Sequence, residues 1–540
     1  MVELNSDHKT IVKGTFWGIA GATALKLISF VYTIIIARFF LPEQVGTFYL
    51  SLSLMYLIAI FGDLGIGNAM GRFVPYFMGK GEKQKVFSLL KASYLYTAIL
   101  SAILSIGLFI SAGFLAVYFK NPDLERAVQY ISIFLFINPF FGINSAFING
   151  LKKFRENQFI FNLQNLLKLI ILLLMFFYLG SNEAVIPISF IVSFVIATLI
   201  SFIFIKKAND ELDIKETHLS FKEQFTLLSE IIPFGLTVSL IASFWVIATY
   251  VDRILLGIYL PAQDAAVNIS IYTIAIALSG IVTVFAGALG GIIGPIISEL
   301  FGKGSHDQMK KVSSSTLRWM VFLSAPTAIT LLIFPGEMLT MFYGTAYASG
   351  AIVLSMFTVA TLMRMLGNIQ TTILTSYNLL KVELSASVIS TIINIIICIF
   401  LIPKYGISGA AVAFIISSFT ITILMNYYCK KLAGFGFSKE IIKPLAAGVM
   451  AFIFFFYLKA YFIAILSSAS PIPSVENEIL QLIFQKVYKL AVLGVIFIFI
   501  SMVYILSLIV IGGVHSEDKE LTTVIFKRIQ TTLGLYKGSS

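Results

Sequence analysis

The chain has 540 residues, of which 58% are hydrophobic and only 12% charged, about half the roughly 25% charge density of a soluble globular protein. That excludes a sizeable soluble domain and predicts a polytopic membrane protein. Two cysteines and four histidines give no disulfide framework and no Cys/His metal spacing, and the net charge of +11 is informative only through where the basic residues sit.

A span needs about 20 apolar residues. Such runs fall at about 14–38, 44–66, 87–118, 127–149, 159–180, 184–205, 226–258, 266–295, 314–335, 349–376, 384–402, 407–429, 442–465 and 486–512, fourteen in all. The first run follows Lys13 directly and is too long for the core of a secretory signal. Lys and Arg alternate across the connections, roughly 25 on the side of the N-terminus and 6 on the other, which places both termini in the cytoplasm. The six on the far side are Arg38, Lys120, Arg126, Lys404, Lys486 and Lys489.

One phrase is written twice. Leu41-Pro42-Glu43-Gln44, an apolar run, Pro75 and Gly79-Lys80-Gly81 return as Leu260-Pro261-Ala262-Gln263, an apolar run, Pro295 and Gly302-Lys303-Gly304. A duplicated apolar unit with an even number of spans predicts parallel repeats about an axis along the membrane normal, the architecture of many secondary transporters. The expected organisation is a six-helix bundle over 1–206, a cytoplasmic connector over 207–223, a second six-helix bundle over 224–431, two further helices over 432–512 and a cytoplasmic tail over 513–540. Within the tail, Leu521, Val524, Ile525, Ile529 and Leu533 share one helical face, which suits a helix lying on the inner leaflet or a frayed end.

Charges inside the apolar runs stand out, because a Lys, Arg or Asp at mid-bilayer costs about 2.5–3.5 kcal/mol on insertion scales. Lys26 lies about 18 Å from either end of its run at 1.5 Å per residue, too far to snorkel. It shares a stripe with Gly14, Gly18, Ala22, Ser29, Thr33 and Ala37, either a cavity wall or a small-residue packing seam with Lys26 paired to Asp63. Arg364 sits mid-run beside Thr361, Asn368, Thr371 and Thr375, again as a cavity wall, and Asn394 lies on a companion stripe with Ser387, Thr391 and Cys398. Lys168 follows Asn162, Gln164 and Asn165, and Arg253 comes shortly before Pro261, where a membrane-interface anchor is the competing reading. Asp63 and Asp252 are either structural counter-ions or carriers of a coupling proton or cation.

Glycine marks the expected bending elements at the same place in each repeat. In the second run these are Gly62, Gly65 and Gly67, and in the eighth Gly290, Gly291 and Pro295.

The ordered set Ala37-Arg38-Phe39-Phe40-Leu41-Pro42-Glu43-Gln44-Val45-Gly46, Asp63-Leu64-Gly65, Asp252-Arg253-Ile254-Leu255-Leu256-Gly257 and Leu401-Ile402-Pro403-Lys404-Tyr405-Gly406-Ile407-Ser408-Gly409 resembles the polysaccharide flippases of the multidrug/oligosaccharidyl-lipid/polysaccharide (MOP) exporter superfamily. The likeness runs over about residues 10–430. It implies an all-α fold of about fourteen transmembrane helices, two parallel six-helix repeats plus two C-terminal helices. It implies flipping of a polyprenyl- or dolichyl-(pyro)phosphate-linked oligosaccharide from the cytoplasmic to the outer leaflet of the cell membrane by alternating access. Lys26, Lys168 and Arg364, with Arg253, would then hold the lipid phosphate in the central cavity. The expected partners are that lipid, the surrounding membrane lipids and H+ or Na+, with no nucleic acid, no cofactor and no catalytic residue, and the chain is expected to act as a monomer. The drug exporters of the same superfamily typically carry an acid in the first span, where this chain has only Lys26, which disfavours a cation antiporter. A membrane glycosyltransferase is disfavoured too, because the longest outer loop, about Leu466 to Gln485, carries only Glu476 and Glu478.

Overall fold

A computed structural model of the chain describes residues 6–62, 65–212, 221–467 and 478–513. Among them there are sixteen α-helices and no strand, as expected where backbone polar groups must be satisfied inside each span. In order they are α1 (Ser6–Phe39), α2 (Pro42–Ala59), α3 (Ile66–Gly79), α4 (Lys83–Tyr118), α5 (Asp123–Gly150), α6 (Phe154–Leu179), α7 (Val185–Glu211) and α8 (Phe221–Tyr259). Then follow α9 (Ala262–Ser279), α10 (Val284–Gly302), α11 (His306–Ile333), α12 (Pro335–Tyr343), α13 (Ala351–Ser376), α14 (Leu380–Ala433), α15 (Ile442–Ser467) and α16 (Glu478–Val510).

Four features reconcile sixteen helices with the fourteen expected crossings. The second crossing is α2 and α3 in series, interrupted between Ala59 and Ile66, and the eighth is α9 and α10, interrupted by a 3-10 turn at Gly280–Thr283. As one straight helix the 54 residues of α14 would be about 80 Å long at 1.5 Å per residue, far more than the roughly 30 Å hydrocarbon layer. It is two crossings joined at Gly406, whose φ of 56° and ψ of −134° fold the chain back. The Ser390 hydroxyl donates to the Ser417 carbonyl at 2.8 Å across the resulting antiparallel pair. The short α12 is additional. It begins at Pro335 with Glu337 in its first turn, both ordinary helix-start residues.

The repeated phrase builds two equivalent helix starts. Pro42 occupies the first turn of α2, and Pro261 precedes α9. The two starts meet each other. A Cβ added at Gly46 would stand 1.7 Å from the Ala266 carbonyl oxygen, so the backbones of α2 and α9 touch and no side chain fits between them.

Packing divides the molecule unevenly. One continuous core joins both repeats, running from Ile36, Phe48 and Phe134 to Tyr272, Tyr343 and Phe357. Two separate cores serve the rest. One is centred on α3, α4, α5 and the start of α8 (Ile66, Leu89, Phe147, Ile231), the other on α10, α11, α13 and the end of α14 (Ile297, Met320, Ile369, Met425). The repeats are therefore fused towards the Leu41 end and divided towards the Lys80 and Lys303 end. Helix α8 straddles the division: Leu227, Leu228 and Ile231 belong to the first-repeat core, and Arg72 stacks on Phe234 at 4.4 Å. A fourth core packs α15 and α16 onto α11 through Ala325, Ala451, Phe455 and Tyr504, so the extra pair is attached to the second repeat.

Candidate functional site

The interruption in the eighth crossing is one place where the two repeats exchange polar contacts. A 3-10 turn leaves backbone acceptors outside the α-helical ladder, and in a membrane those acceptors need donors. Lys26, from α1, supplies one: its Nζ donates to the Thr283 carbonyl at 3.2 Å and lies 3.4 Å from Thr283 Oγ1. Gly287 makes room for it, since a Cβ there would stand 3.1 Å from the ammonium. From the other side, Thr361 of α13 lies 3.4 Å from Ser279, and Arg364 sits three residues further along the same helix. Lys26 therefore meets the broken helix directly, while Arg364 stands one turn along α13 from the residue that touches its other end.

Lys168 is 8% exposed. It donates to Asn165 Oδ1 at 3.0 Å and stands 4.2 Å above the Tyr32 ring. Ser29 shares the same Asn165 oxygen at 3.3 Å, which ties α1 to α6 with the cation between them. Arg364 stacks on Phe414 at 4.9 Å. None of Lys26, Lys168 and Arg364 has a carboxylate within ion-pair distance among the described residues. Their direct partners are neutral oxygens for Lys26 and Lys168 and aromatic faces for Lys168 and Arg364, the aromatic contacts contributing roughly 2 kcal/mol or more each when desolvated.

Asp252 is the one buried carboxylate among the described residues, 2% exposed. It accepts from the Tyr272 hydroxyl at 2.7 Å and from Cys398 at 3.6 Å, and Arg253 and Arg364 are both near enough to act on it electrostatically. Asn394 adjoins Cys398, and its side-chain NH2 has no partner among the described residues. One carboxylate facing two guanidinium groups keeps this cluster positive.

Some expected residues stand elsewhere. Arg253 is 6% exposed, with Nε donating to Thr273 Oγ1 at 2.9 Å and Nη1 to the Thr249 carbonyl at 2.8 Å. Those bonds consume much of its donor capacity inside the second repeat. Thr33 bonds its own helix and meets the Tyr343 hydroxyl at 3.3 Å. Asn368 is exposed on α13. Gly62 and Gly65 flank the first interruption, and Gly65 has φ +80° with the Gly235 carbonyl 2.0 Å from where a Cβ would be, a position only glycine can fill. Gly67 lies one residue inside α3. Gly290, Gly291 and Pro295 lie inside α10, and the interruption of that crossing is at Gly280–Thr283. Asp63, and with it the proposed pairing to Lys26, lies outside the described residues, as does the tail at 521–533. The site also contains residues the sequence did not single out, Tyr32, Thr283, Tyr272 and Thr273. Each is an unremarkable polar or aromatic residue whose partner comes from another helix.

The chain matches the family described as polysaccharide biosynthesis protein over residues 11–301. It is 23% identical to an uncharacterized membrane protein of Methanocaldococcus jannaschii, over 97% of this chain and 100% of that one. It is 25% identical to a probable low-salt glycan biosynthesis flippase of Haloferax volcanii, over 35% of this chain and 39% of that one. Among solved structures it resembles the lipid II flippase MurJ in its inward closed conformation, with a TM-score of 0.66, 15% identity, and 92% of this chain and 99% of that one covered. The family match spans more than half the sequence and the helical fold agrees with it: this chain belongs to the polysaccharide biosynthesis protein family.

Proposed function

We propose that the protein flips a polyprenyl- or dolichyl-(pyro)phosphate-linked oligosaccharide across the cell membrane by alternating access. The observation that carries this reading is the excess of cations inside the apolar helices, drawn from both repeats: Lys26 and Lys168 have no carboxylate partner among the described residues, and Arg364 shares Asp252 with Arg253. Lys26 and Arg364 would clamp the anionic headgroup from opposite sides, and Lys168 would lie deeper in the first repeat. A substrate phosphate supplies the missing negative charge, so substrate binding and charge compensation become the same event. The step moves a headgroup and breaks no covalent bond.

The uneven core supports alternation. Fusion at the Leu41 end and division at the Lys80 end is the arrangement of a carrier closed on one face, with the two repeats free to rock about the α2–α9 contact. With the termini cytoplasmic, the closed face is the external one. Asp252, with Tyr272 and Asn394 beside it, is better furnished as a coupling site for H+ or Na+ than any other described carboxylate. Asp63 stays a second candidate. The relatives reported as flippases, one for a low-salt glycan and one for lipid II, support a lipid-linked sugar as cargo. A cation antiporter on the same fold is disfavoured by the sign of the charge at Lys26.

The test is transport by the purified chain in vesicles. A lipid-linked oligosaccharide should become accessible to an impermeant reagent on the far leaflet, and cationic dyes should not be extruded. Dye extrusion without lipid movement sinks the reading.

A further inference from the structure

A cavity lies at the Leu41 end of the molecule. It holds about 700 Å3 and lies among the end of α1, α12 and the facing ends of α15 and α16, within the 300–1,000 Å3 range of small-ligand pockets. Among the described residues three cations line it, Arg38, Lys486 and Lys489, with Glu337 the one acid. The number is notable because only six basic residues are predicted on this face, and half of them line this one cavity. Lys486, Lys489 and Leu493 are spaced by three and four residues, which puts them on one face of α16. Arg38 is held in place: Nε donates to the Phe342 carbonyl at 2.9 Å, and Nη2 to the carbonyls of Thr340, at 3.1 Å, and Met341. Its Nη1 has no hydrogen bond among the described residues. Neither lysine is ion-paired there. The apolar lining includes Leu466 and Leu493.

From this arrangement we infer a second anion site, distinct from the central one, that takes a lipid-borne pyrophosphate. Fixed positive charge with a net excess over Glu337 selects an anion. The adjoining apolar wall suits an amphiphile better than a free phosphate. The identity of the lipid rests on the flippase reading, under which this cavity receives the headgroup after it leaves Lys26 and Arg364. The site sits on the second repeat's side through α12, α15 and α16, and on the first repeat's side through Arg38. Its geometry therefore changes when the repeats rock.

The test counts ligands on the purified full chain by native mass spectrometry, with farnesyl pyrophosphate as probe and inorganic pyrophosphate as its lipid-free counterpart. The wild-type chain should hold two farnesyl pyrophosphates. Lys486→Gln with Lys489→Gln, both on an exposed helix face, should remove one and weaken that site at least tenfold; Lys26→Gln with Arg364→Gln should remove the other. If the lysine variant still holds two, the cavity site is refuted. Equal affinity for inorganic pyrophosphate at the cavity refutes the lipid assignment. If the Lys26 and Arg364 variant keeps two while the lysine variant keeps one, the cavity site stands and the central clamp fails instead.

Discussion

At the scale of single residues, the informative quantity is charge that costs stability and is kept. Lys168 is buried at 8% exposure against Asn165 and Tyr32, with no anion beside it. A mid-membrane lysine costs about 2.5–3.5 kcal/mol on insertion scales. Replacing it with methionine fills the same volume without that cost. Lys168→Met should therefore leave the melting temperature unchanged or raise it, while transport of the lipid-linked sugar falls at least tenfold. A loss of stability in a thermal-shift assay would mark Lys168 as structural. Lys26, Lys168 and Arg364 were legible from sequence because a basic residue in a hydrocarbon run needs a reason. What each one touches was not legible. Thr283 is 257 positions from Lys26 and is one of two threonines in its run, and Thr273 acquires its role for Arg253 only when α8 and α9 pack side by side.

At the scale of elements, close backbone approach sets the geometry. Gly46 in α2 touches the Ala266 carbonyl of α9, while Gly107 in α4 has open space where a Cβ would go. Gly46→Ala should destabilise by about 1–3 kcal/mol, the usual cost of overpacking. Gly107→Ala should stabilise by roughly 0.5–1 kcal/mol through helix propensity. Both are read as shifts in thermal unfolding, and equal shifts would dissolve the distinction. Most crossings could be delimited in the sequence because each is an uninterrupted apolar run bounded by polar turns. The interruption of the eighth crossing could not. Gly290, Gly291 and Pro295 are the conspicuous helix breakers, yet they lie within α10, where flanking helices can satisfy the freed backbone groups. The interruption falls at Gly280–Thr283, where a single glycine is a weak signal and the Lys26 contact from the other repeat supports the turn. The start of α12 carried its own signal in Pro335 and Glu337. Its nine residues are too few to cross the bilayer, so a search for spans passes over it.

At the scale of the whole molecule, the duplicated phrase acquires a mechanical meaning. Its two copies are the paired starts of α2 and α9, and they form the contact about which the repeats would move. Rocking must change distances between α2 and α8, where Tyr56 and Tyr250 now stack with ring centroids 4.7 Å apart. Tyr56→Cys and Tyr250→Cys joined by a short bismaleimide should hold the repeats together and abolish transport, with the unlinked double variant still active. Background labelling should be low because the native Cys398 and Cys429 are buried. Undiminished transport after complete crosslinking would rule out rocking at this contact. The symmetric frame was readable from the repeat itself. The asymmetry that gives it a function was not: a core fused at one end and divided at the other is a property of packing between helices distant in sequence. The measurement that bears most directly on the central claim is the initial flipping rate of a lipid-linked oligosaccharide by the chain reconstituted in vesicles, wild type against Lys26→Ala with Arg364→Ala, at matched folded protein. The clamp predicts a loss of at least a hundredfold, each uncompensated phosphate contact being worth about 1.5–3 kcal/mol, and an unchanged rate would contradict it.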